Sequence, residues 1–187
     1  MKSFYYLLAL VGIVVLTGCG GSKSAVAQNV EIDIDVPCSG PEFQTNKEYF
    51  RASAMGLSTD MATAKKKANI TARSEIAGAI SSRLKVVTDN YASSYQRGEQ
   101  EEAKSRFQEL ARSVVDQQLE GVRVICEKTR KDTTSGNYKV YVSLELSGKD
   151  IMEAMTARIK SDDKLRIDFE CEKFEKVFEE EMAKAAQ

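Results

Sequence analysis

The sequence predicts an α+β fold: an antiparallel sheet with long helices packed on one face, plus a C-terminal helix. Three observations predict it. Strand-like segments stand at 48–57, 122–126 and 138–146. Between the first and second of these, Ala64, Ala68, Ala72, Ile76, Ile80 and Leu84 recur at every fourth position. Side chains alternate across a strand, whereas recurrence every three or four residues marks one side of a helix. The second and third strand-like segments are joined by Asp132-Thr133-Thr134-Ser135-Gly136-Asn137, whose turn chemistry predicts a hairpin. Tyr138, Val140, Val142, Leu144 and Leu146 fall on one face of the last strand, and Lys139, Tyr141, Ser143 and Glu145 on the other. One apolar face calls for one layer of helices.

The chain begins with Lys2 and an apolar run from Phe4 to Leu16, followed by Leu16-Thr17-Gly18-Cys19. A permanent membrane helix needs about 20 apolar residues, so the run suits the apolar core of a signal peptide. The four-residue box resembles the bacterial lipobox. That resemblance implies cleavage before Cys19 and lipidation of its thiol, with acyl chains such as palmitate holding the mature chain to a membrane. Residues 1–18 are thus expected to be a lipoprotein signal peptide. Small polar residues over 20–30 read as a tether. Glu31-Ile32-Asp33-Ile34-Asp35-Val36 alternates and predicts a short edge strand within 19–47. Pro37-Cys38-Ser39-Gly40-Pro41 then breaks the chain. Gly21-Ser22-Lys23-Ser24 lacks the earlier glycine of a phosphate-binding loop and is not read as one.

A core domain is expected over 48–159. The first strand, Glu48 to Leu57, leads to Ser58-Thr59-Asp60, any of which suits a helix cap. The alanine-rich stripe follows, extended by Val87 and Tyr91. Gln96-Arg97-Gly98 interrupts it. A second helix runs from about Glu99 to Leu119, apolar at Phe107, Leu110, Ala111, Val114 and Val115, and stops at Gly121. Val122, Val124 and Cys126 share one face of the next strand. Ile151, Met152, Met155 and Ile159 mark a third helix. Residues 160–187 carry a last one, with Ile167, Cys171, Phe174, Val177, Phe178 and Met182 at helical spacing. That apolar side either packs on the core or serves a partner, which makes Ile167, Phe174, Val177, Phe178 and Met182 candidate partner-binding residues.

Composition narrows the function classes. Lys and Arg total 27 against 28 Asp and Glu, so no strong field is available to steer a nucleic acid, and none is expected as a partner. The chain has no histidine, which excludes His triads, His acid–base catalysis and His-containing metal sites. No metal or cofactor is expected. Glu75, Asp89 and Glu145 show no signature spacing for glycan hydrolysis, which needs paired acids. Lys65-Lys66-Lys67 is a short basic run that suits either a solvated helix face or contact with headgroups, peptidoglycan or an acidic partner. With Cys19 assigned to lipid, Cys38, Cys126 and Cys171 remain. Export favours a disulfide. Cys38–Cys126 is the preferred candidate, although buried, unpaired Cys126 and Cys171 would fit as well.

The segment Ala52-Ser53-Ala54-Met55-Gly56-Leu57-Ser58, followed by Ala64, Ala68, Ala72 and Ile76, resembles the core of the bacterial 20-kDa outer-membrane lipoprotein family. In that family a strand ending in a small-residue and glycine turn runs into an alanine-ladder helix, with a hairpin and a further helix later. Its core is similar to the N-terminal domain of the flagellar T-ring assembly protein. The resemblance covers roughly 48–159 and implies a non-enzymatic envelope lipoprotein that binds a protein or peptidoglycan partner. Gly20, where Asp would favour inner-membrane retention, resembles outer-membrane cargo facing the periplasm. A carboxylate-dependent glycan hydrolase and a self-assembling structural subunit are the alternatives.

Overall fold

The chain is described by a computed structural model over residues 33–93, 100–167 and 169–185. The lipobox with Cys19, the tether at 20–30 and Gln96-Arg97-Gly98 lie outside the described residues. Ten residues, Tyr49–Ser58, form β1, and Asp60 starts the long helix α1, Met61–Ala92. The Asp60 carboxylate accepts the Thr63 N–H at 2.7 Å. This bond satisfies one donor left over at the helix start and holds the Asp60 carboxyl below the usual carboxylate range. Helix α2, Gln100–Gln118, ends in a 3₁₀ turn at Leu119–Gly121. The hairpin follows as β2, Arg123–Lys131, and β3, Tyr138–Ser147. Helices α3, Gly148–Ser161, and α4, Cys171–Ala185, complete the chain.

The sheet has the order β1-β3-β2 and both pairings are antiparallel. The architecture is therefore α+β with a three-stranded antiparallel sheet and a C-terminal helix. Helix α1 lies directly on β1 and β3. Its approach is governed by glycine and alanine. A Cβ on Gly56 would stand 2.0 Å from the Ala64 carbonyl oxygen, so only a bare backbone fits there. Ala64, Ala68 and Ala72 are fully buried along the same stripe.

A 32-residue helix is about 48 Å long, longer than a ten-residue strand at about 34 Å. Its far half thus extends past the sheet. At 100° per residue, a four-residue repeat turns by about 40° at each step. The buried stripe consequently swings round the helix. Its alanine half meets the sheet, and Leu84, Val87, Tyr91 and Ala92 are buried where α2 and α4 also pack against α1. Tyr91 is the hub of this second region. Its ring meets Phe107, Phe169 and Phe174 edge-on at 5.6, 5.8 and 5.5 Å. Its hydroxyl accepts the Glu170 N–H at 2.7 Å, just ahead of α4.

Two expectations need correction. Residues 33–36 carry no strand, and 31–32 lie outside the described residues. Of the two destinations read for the C-terminal helix, the core is the one observed: α4 packs on α1 within the compact unit Asp35–Gln187. The face of β2 also differs. A register shift between Val124 and Cys126 makes Val124 pair with Leu144 but Cys126 with Ser143. The extra residue of this bulge turns Cys126 to the face opposite Val124. Val124 itself is half exposed.

Candidate functional site

The bulge lets Cys126 face away from the helices, where it forms a disulfide with Cys38. Thr45 ties the other end of the same segment to β1: its hydroxyl donates to the Arg51 carbonyl at 3.1 Å and accepts the Arg51 N–H at 2.9 Å. Because β3 lies between β2 and β1, residues 38–45 must cross the sheet as a strap. The span of two interstrand spacings is about 10 Å, well within reach of seven residues. From Ser39 to Tyr49 no residue is buried, and the 3₁₀ turn Pro41–Phe43 bonds only within the strap. Cys38 sits at φ 59°, a left-handed conformation that costs a non-glycine residue energy. The disulfide is therefore the principal bond that holds this strap to β2.

The register arranges the strap-side face in cross-strand rows. Arg51, Glu145 and Arg123 form one row, and Ser53, Ser143 and Cys126 the next. Glu145 is buried and takes Arg51 on one oxygen at 3.1 Å and Arg123 on the other at 2.9 Å. Both carboxylate oxygens are thus engaged by guanidiniums, and the row of two arginines and one glutamate carries a net positive charge. Ser143 is fully buried, and its hydroxyl, like that of Ser53, has no hydrogen-bond partner among the described residues. Two further rows lie toward the hairpin turn and are partly exposed among the described residues: Met55, Tyr141 and Lys128, then Leu57, Lys139 and Arg130.

At the opposite end of the sheet a groove of about 650 Å³ opens between the start of β1, the start of α3 and the end of α4. Tyr49, Met152, Phe178 and Met182 line it, with Lys47, Glu48, Lys149 and Glu179 also on its walls.

The structure separates the residues expected on a partner-binding face. Phe174, Phe178 and Met182 are core residues, 0%, 3% and 1% exposed, and Val177 is half-buried. They cover the far half of α1, so they do not form a free apolar stripe for a partner. Phe178 and Met182 touch solvent only as part of the groove wall. Ile167 is 76% exposed but precedes α4 and does not join the others. Cys171 is a free thiol, half-buried; burial pushes its pKa up, and the Glu175 carboxylate at 3.3 Å adds to that.

The lysine run and the acids are similarly dispersed. Lys65 pairs with Glu127 at 2.9 Å, and Lys67 donates to the Leu57 carbonyl at 3.1 Å, which leaves Lys66 to solvent. Glu75 is exposed on α1, Asp89 lies fourteen residues farther along that helix and pairs with Lys104 of α2, and Glu145 lies on the other side of the sheet. These three acids share no cleft. No group of three or more metal-ligating side chains occurs among the described residues. None of the described helices is long and apolar enough to cross a membrane.

No family model matches this chain, and no curated protein matches it.

Proposed function

We propose that the chain is a lipid-anchored, non-catalytic protein of the bacterial outer membrane, facing the periplasm, whose folded unit binds another envelope component. The observation that carries this reading is Leu16-Thr17-Gly18-Cys19 at the end of a short apolar run after Lys2. The Cys38–Cys126 disulfide supports it, since such bonds persist in oxidising compartments outside the cytoplasm. The Arg-clamped Glu145 and the dispersal of the other acids favour binding over hydrolysis. The resemblance over 48–159 points the same way. Membrane-bound work also suits the chemistry of the anchor: buried acyl chains contribute about 0.8 kcal/mol per methylene, so two or three chains hold a domain stably.

The test is crosslinking and pull-down from native membranes, with wild type beside Cys19→Ala. An envelope protein or peptidoglycan fragment recovered with wild type and lost with the variant supports the reading. Hydrolysis of peptidoglycan by the purified chain, abolished by changing one carboxylate, would overturn its non-catalytic part.

A further inference from the structure

The strap covers only part of the sheet face that it crosses. Its two ties, Cys38 to Cys126 and Thr45 to Arg51, stand at the Ser53-Ser143-Cys126 and Arg51-Glu145-Arg123 rows. Among the described residues the next two rows are only partly covered, with Pro37, Cys38 and Phe43 sharing a hollow with Lys128 and Arg130 at the β2 edge, and they have a distinct composition. On β1, Met55 and Leu57 are 46% and 43% exposed. On β3, Tyr141 and Lys139 are half-buried, and on β2, Lys128 and Arg130 are exposed. Arg130 lies over the Tyr141 ring at 5.9 Å. The patch thus combines two apolar side chains, one aromatic ring and three cations, with no acid in either row. None of the three cations forms a salt bridge among the described residues. The nearest acids are at its margins: Asp35 shares a small hollow with Lys128 and Arg130, and Asp132 of the turn feels Lys139.

We propose that these two rows rest on an anionic lipid surface. Charge complementarity selects the occupant. The chain as a whole carries −1, yet this face presents three unpaired cations around exposed apolar atoms. Lipid headgroups supply phosphate charge beside an apolar layer, and a flat sheet face can meet both at once. Lys and Arg keep their charge at the headgroups while their stems lie over apolar surface. Tyrosine favours the same boundary. Each cation contributes about a fivefold gain in contact with an anionic membrane. The contact would fix the orientation of a domain that its lipid alone leaves free to turn. The inference rests on the envelope reading above, which places a membrane within reach.

The absence of tryptophan from the chain makes the test direct. Leu57→Trp places a single probe in the patch, and Glu153→Trp places one on the outer face of α3. Each full-length protein is reconstituted into vesicles of brominated phosphatidylcholine with or without brominated phosphatidylglycerol. The expected result is quenching of Leu57→Trp but not Glu153→Trp, only with the anionic lipid, and reversed by high salt. Adding K128Q, R130Q and K139Q should weaken contact about a hundredfold and abolish the quenching. Met55→Trp repeats the experiment one row inward should Leu57→Trp fail to fold. Unquenched probes in the patch, equal quenching at position 153, or quenching that survives loss of the three cations would overturn the inference. Vesicle flotation of wild type and Cys19→Ala reads the anchor separately, so failure of the patch and failure of the anchor give different results.

Discussion

At the residue scale, two residues decide how tightly the helices meet their neighbours. Gly56 brings β1 against the α1 backbone at Ala64 and Ala68. Gly56→Ala forces the helix off the sheet, and overpacking of this kind costs about 1–3 kcal/mol. A lower urea midpoint with an unchanged slope would register it; unchanged stability would mean that the close approach is not as described. Glu181 is the second. It is 4% exposed on α4 and binds Arg83 at 3.2 Å and Asn90 at 3.4 Å, both from α1, as well as Lys184 at 2.5 Å. Lys184, then Arg83, hold its carboxyl below the usual range against the opposing effect of burial. A folded-state pKa below the unfolded one means stability present above the unfolded value and lost as pH falls through the folded one. Glu181→Gln should cost about 2 kcal/mol at neutral pH, typical of charged hydrogen bonds. The gap between variant and wild type should narrow as pH falls below the ordinary carboxylate range. Thermal melts at neutral and acid pH measure it.

At the element scale, the strap and α4 show what pattern alone conveys. Periodicity was enough for α1, α2 and β3, because each carries its buried face in uninterrupted order. It was not enough for β2. One bulged residue at Val124–Cys126 reverses the face of everything after it, and no residue there announces a bulge. The strap was invisible for a related reason: Ser39 to Tyr49 buries nothing, so it leaves no apolar signature. Glu145 was legible on the polar face of β3, but its meeting with Arg51 and Arg123 was not, since that depends on cross-strand register. The apolar stripe of α4 was legible in full. Its destination was not, because the swing of the α1 stripe that exposes Leu84, Val87 and Tyr91 to α4 appears only in three dimensions. The disulfide joins residues 88 apart, and a loop of that size predicts a loss of up to about 4 kcal/mol on reduction. Denaturation with and without a dithiol measures this. Hydrogen exchange should rise earliest and most over 38–47 under reduction, with α1 rising only by as much as the global stability falls. Ser147→Ala, which removes the acceptor for the Asp150 N–H at 3.2 Å, should cost about 1 kcal/mol by the same denaturation.

At the scale of the whole molecule, one sheet separates two unlike sides. The helical side holds the core and a groove at one end. The other side holds a disulfide-clasped strap, an Arg–Glu–Arg row and a basic-apolar patch. On the proposed reading, the anchor places the domain at a membrane and the basic-apolar face orients it there. The most direct measurement is mass spectrometry of the N-terminal peptide from protein isolated out of bacterial membranes. The expected peptide begins at Cys19 and carries a diacylglyceryl group on its thiol. A peptide that retains Met1–Gly18, or an unmodified Cys19 in a chain that still fractionates with membranes, would contradict the proposed anchor and the function built on it.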